Sequence, residues 1–92
     1  MDRFVWETPE EINLQLAKRL RTIRRSMGIS QEKLAEASVV SFGSIKRFET
    51  SGNISLLSLT KLALALGLAD EITASFNATP YKNILEVIHD TK

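Results

Sequence analysis

The chain has 92 residues, too few for two independent cores, so it reads as one small domain. Apolar residues at 43% and charged residues at 25% give a globular balance, not a disordered one, and the net charge of +1 gives no global sign of a nucleic-acid partner. With no cysteine and one histidine, His89, there is no disulfide scaffold, thiolate zinc site or His-based catalytic centre, and His89 reads as a surface residue.

Thr8-Pro9-Glu10-Glu11 marks a helix start: Thr8 caps, Pro9 suits the first helical position, and the two acids face the positive end of the helix dipole. Ile12, Leu16, Leu20, Ile23 and Met27 then recur at spacings of 4, 4, 3 and 4, one face of an α-helix expected to turn inward. Gly28 ends it in the left-handed conformation. Ser30 caps a second helix from Gln31 to about Ala37, and a third runs from Ser41 to about Glu49. Ser51-Gly52-Asn53 interrupts the pattern, and Ser55 caps a fourth helix through Leu56, Leu59, Leu62, Ala63 and Leu66, stopped by Gly67. A short fifth helix, about Asp70 to Phe76, is expected to use Asp70 as cap and to turn Ile72 and Phe76 inward. Beyond Pro80, Asn83 to Ile88 fits either a capped helix or a strand that pairs in a dimer. The expected class is all-α, a compact bundle of about five short helices.

The second and third helices are separated by a turn so short that they must cross steeply, with small Ala35 at the contact. Leu34, Val40, Ile45 and Phe48 fall where a shared core needs apolar side chains. Ser41, Phe42, Ser44, Lys46 and Arg47 are left on the outward surface.

At these residues the chain resembles the Cro and phage-repressor type of helix-turn-helix DNA-binding domain, the Xre family. The resemblance covers about residues 10 to 76. It rests on Ser30-Gln31, Leu34-Ala35, Val40-Ser41, Ile45 through Phe48-Glu49, and the Ser55-Leu-Leu-Ser-Leu to Ala65-Leu66-Gly67-Leu68 segment. It implies a lambda-repressor-like domain over residues 8–76, with an N-terminal arm at 1–7 and a C-terminal extension at 77–92.

By the same resemblance, the helix from Ser41 lies in the DNA major groove and presents Ser41, Phe42, Gly43 and Arg47. Ser44 and Lys46 lie within reach of phosphates or base edges, and Gln31 stands at the phosphate backbone near a helix N-terminus. Arg47 suits guanine, while Phe42 can offer only apolar contact, best met by a thymine methyl. Arg24 is expected to pair with Glu49 and set the angle of the DNA-facing helix. Two residues depart from the pattern. Val39 stands where a turn glycine is usual, and Gly43 sits inside the DNA-facing helix, either for close approach to DNA or as a tolerated first-turn residue.

Charge resolved along the chain agrees with this. Residues 18–47 hold eight basic and two acidic side chains, a net of +6, between ends of net −3 and −2. Lys18, Arg19, Arg21, Arg24 and Arg25 form either a solvated face or, in part, a phosphate contact. Phe4-Val5-Trp6 reads as a flap over the core edge or a partner contact, and the leucine-rich fourth helix as core plus dimer surface.

The function implied is a sequence-specific, homodimeric transcriptional regulator of double-stranded DNA. Residues 41–49 and 54–59 also resemble small regulators that accompany HipA-type kinase toxins, which implies an alternative role as an antitoxin that binds a kinase and its own operator. An enzyme is not expected, since no nucleophile–base pair can be assembled, and no cofactor or metal is implied. No apolar run reaches the roughly 18 residues of a membrane span, and the first seven residues lack the apolar core of a signal peptide, so a cytoplasmic setting is expected.

Overall fold

The computed structural model describes residues 7–77. These form five helices and no strand: α1 (Pro9–Ser26), α2 (Gln31–Ser38), α3 (Phe42–Ser51), α4 (Leu56–Ala65) and α5 (Ala69–Thr73). The Phe4-Val5-Trp6 triplet, the segment from Asn83 to Ile88 and His89 lie outside the described residues.

Local hydrogen-bond chemistry sets the starts of the first four helices. Thr8 Oγ1 accepts from the Glu11 N–H at 3.0 Å, and the Glu11 carboxylate accepts from the Thr8 N–H at 2.9 Å. This reciprocal box satisfies two donors that an uncapped helix leaves orphaned. The hydroxyls of Ser30, Ser41 and Ser55 accept in the same way from the N–H groups of Lys33, Ser44 and Ser58.

The inward face of α1 differs from the one its apolar spacing suggests. Ile12, Leu16 and Met27 are 48%, 44% and 49% exposed, whereas Ala17, Leu20 and Arg24 are buried. At 100° per residue the two faces share Leu20 but are turned about 70° apart. The physical reason lies in what α1 packs against. Its main neighbour is α3, and the α3 C-cap, Gly52, meets α1 backbone to backbone. A Cβ placed on Gly52 would stand 2.8 Å from the Asn13 carbonyl carbon and 2.9 Å from the Leu14 nitrogen. Gly52 also has φ +84°, so its backbone conformation and its lack of a side chain are both needed. On this face small Ala17 is fully buried, and the ion pair of Arg24 holds the C-terminal part inward.

Leu34 of α2, Val40 of the turn, Ile45 and Phe48 of α3, and Leu62 and Leu66 of α4 close one core with Ala17 and Leu20. α2 packs on α3 and α4, and α4 on α5. Leu62 and Ala63 turn α4 inward, while Leu56, Leu57 and Leu64 remain on its outer surface.

α5 corrects two expectations. It spans only Ala69–Thr73, and its N-cap is Leu68, with no side-chain capping bond; Asp70 lies inside the first turn. Phe76 lies beyond the helix at φ +62° and is 91% exposed, while Ile72 is partly buried. Five residues make little more than one turn, so the inward face does not extend to position 76.

Candidate nucleic-acid interface

The turn between α2 and α3 is built by Val39, Val40 and Ser41. Val39 closes α2 in the left-handed conformation, φ 60° and ψ 32°, and its N–H donates to the Ala35 carbonyl at 2.9 Å. Ser38 is buried beneath it, donating to the Leu34 carbonyl at 2.6 Å and accepting from the Val40 N–H at 3.2 Å. Sequence reasoning missed this serine, because its role depends on two backbone groups that only the turn geometry brings together. Val40 then drops into the core, and Ser41 starts α3.

The amphipathicity of α3 separates its groups. Ile45, Phe48 and Glu49 are buried; Phe42, Gly43, Lys46 and Arg47 are exposed; Ser44 is half-buried. Lys46 Nζ lies 5.2 Å from the centre of the Phe42 ring, a cation–π contact within one helical turn. Among the described residues the Arg47 guanidinium makes no ion pair, so its fork of donors faces outward. The Ser41 hydroxyl donates to Ser44 Oγ at 2.8 Å and accepts from the Ser44 N–H. Beyond its chain neighbours and its own helix backbone, no protein atom comes within 4 Å of a Cβ built on Gly43, so packing within the fold does not demand glycine there.

The inner end of α3 is tied to α1 and α2 through one carboxylate. Arg24 Nε donates to Glu49 Oε2 at 2.8 Å and Arg24 Nη2 to Oε1 at 3.0 Å, a bidentate pair. A third Arg24 donor, Nη1, reaches the Ile29 carbonyl at 2.7 Å. Gln31 Nε2 donates to Glu49 Oε1 at 2.9 Å, and half-exposed Arg21 lies 3.9 Å from the same oxygen. Gln31 therefore stands between the buried network and the surface. One of its amide hydrogens is committed to Glu49, and the second remains for an outer acceptor. No buried side-chain nitrogen or oxygen among the described residues lacks a partner. The Gln31 link carries no sequence signal, since it joins residues 18 apart on different helices.

Lys18, Arg19, Arg25 and Lys33 are exposed, which adds positive charge around the unit. Among the described residues no helix is long and apolar enough to cross a membrane, and no group of His, Cys, Asp or Glu is placed to hold a metal.

No curated protein and no solved structure matches the chain significantly. The family model described as helix-turn-helix matches residues 20–71, more than half of the chain, from the second half of α1 into α5. With α2, the turn and α3 arranged as described, the chain belongs to the helix-turn-helix family of Cro and phage-repressor type, a family of DNA-binding regulators.

Proposed function

We propose that this protein is a sequence-specific transcriptional regulator that binds double-stranded DNA as a homodimer and reads a near-palindromic operator through α3. The observation that carries the reading is the division of α3: its inner face is locked by the core and the Glu49 network, while Arg47, Lys46 and Phe42 face outward. A rigidly held helix whose exposed guanidinium makes no ion pair among the described residues can enter the major groove and donate two hydrogen bonds to a guanine edge. Ser41, Gly43 and Ser44 lie at the groove-facing end, Lys46 reaches a base edge or phosphate, and Gln31 offers its second amide hydrogen to the phosphate backbone. The Arg24–Glu49 pair sets the angle at which α3 meets DNA.

A single module this small buries too little surface for tight specific binding. Two copies related by a two-fold axis place their α3 helices about 34 Å apart, one turn of DNA. Exposed Leu56, Leu57 and Leu64 of α4 supply the apolar surface for the copy-to-copy contact.

Binding selection from randomised duplex DNA with the full chain, followed by affinity measurements in rising salt, tests the reading. The expected result is a two-fold-symmetric motif with affinity that falls steeply with salt. Failure to enrich any motif, or affinity indifferent to salt, would overturn it.

A further inference from the structure

Val39 is out of keeping with the fold that surrounds it. A β-branched residue in the left-handed region is a genuine outlier. The turn needs that backbone conformation, but the core of the described residues does not take in the valine side chain, which is 80% exposed. Glycine would adopt the same φ and ψ without strain. A strained residue whose side chain stays out of the core points to a contact outside it.

The neighbouring polar groups are partly committed within the fold. The Ser41 hydroxyl donates to Ser44 Oγ, and Gln31 gives one amide hydrogen to Glu49. Gly43 has no side chain. The large side chains that the turn and the first turn of α3 present outward are apolar: the isopropyl group of Val39 and, three residues on, the ring of Phe42, 39% exposed. Lys46 covers one side of that ring with its ammonium. The edge is thus bordered by positive charge, with Arg47 next along the helix, as suits a surface that meets DNA.

In the major groove the one apolar group a base pair offers is the C5-methyl of a pyrimidine. We propose that Val39 and Phe42 form a reading edge for pyrimidine C5-methyl groups, carried by thymine or by 5-methylcytosine, and that Val39 is a specificity-determining residue. This inference rests on the DNA-binding reading above. Arg47 reads by hydrogen bonds and this edge by apolar contact, so each half-site pairs a guanine with one or two methylated pyrimidines close by.

The test uses the full chain and the duplex obtained by binding selection. Each thymine is replaced in turn by deoxyuridine, which removes only the methyl, and affinity is measured by fluorescence anisotropy. One methyl lost from such a contact is expected to weaken binding about fourfold, and two about 15-fold. Phe42→Ala and Val39→Gly should each abolish the sensitivity at one thymine, with the Val39→Gly protein melting no lower than the wild type. Cytosine and 5-methylcytosine are then compared at the same positions. A gain on methylation equal to the thymine effect assigns the edge to any C5-methyl; a loss with deoxyuridine and no such gain assigns it to thymine. Unchanged affinity for every deoxyuridine duplex, or full methyl sensitivity in Val39→Gly, would overturn the role of the edge while DNA binding stands. Absence of binding to any duplex would overturn the DNA-binding reading, and this one with it.

Discussion

The two faces of α3 differ in what holds their residues in place. On the inner face Ile45 and Phe48 are fully packed, and Glu49 accepts three hydrogen bonds from Arg24 and Gln31. On the outer face the Lys46 ammonium lies over the Phe42 ring, and among the described residues neither it nor the Arg47 guanidinium makes an ion pair. Substitutions on the inner face should therefore read out as stability, and those on the outer face as DNA affinity with the fold intact.

The comparison is challenged hardest at Glu49. Glu49→Ala leaves the Arg24 guanidinium buried without its counter-charge, and urea denaturation should show a loss of about 3–5 kcal/mol. An effect under about 1 kcal/mol, the size of an exposed pair, would show that the inner face is not closed as described. Next in size, Gly52→Ala should cost roughly 2–4 kcal/mol, because its Cβ overlaps α1 backbone and its φ is positive. A shift of the melting midpoint for this variant, compared with Gly43→Ala, separates a glycine the fold requires from one it does not.

On the outer face, Arg47→Ala should leave unfolding within about 0.5 kcal/mol of wild type. It should also lose about 1–3 kcal/mol of discrimination at one base position, seen in competition binding against single-base operator variants. Loss of stability instead would mean that Arg47 belongs to the inner set. The smallest effect has the opposite sign. Val39→Gly relieves left-handed strain of about 1–2 kcal/mol and adds glycine's entropic cost of about 0.5–1 kcal/mol. Thermal unfolding should then show a protein slightly more stable than the wild type.

The parts of this fold that were legible in the sequence depend on neighbours in the chain. Thr8, Ser30, Ser41 and Ser55 bond to N–H groups three residues on, so a serine or threonine ahead of an apolar rhythm locates a helix start unaided. Leu34, Val40, Ile45 and Phe48 were legible as core because a short turn leaves two helices few ways to cross. Asp70 misled because its place in α5 is decided by where Leu68 packs, and Phe76 because the helix stops short of it. The Arg24–Glu49 pair spans 25 residues, and nothing in the spacing or composition of the chain joins them. It was reached through the likeness to the Cro and phage-repressor type, the same likeness on which the proposed base-facing positions of α3 rest.

The clearest division falls within α1. Its sequence by itself determined a capped helix, since the Thr8–Glu11 box and Pro9 act within one turn. It did not determine which side of that helix would be buried. Ile12, Leu16 and Met27 make the more apolar stripe, yet the chain buries Ala17 and Arg24. Hydrophobicity ranks side chains one at a time, whereas burial depends on what stands opposite. Here a glycine at the C-cap of α3 brings its backbone against Asn13 and Leu14 of α1, and a carboxylate on α3 pairs with the Arg24 guanidinium. Only the packing of α1 on α3 supplied those partners, and that packing also leaves Phe42, Lys46 and Arg47 on the outer face of α3.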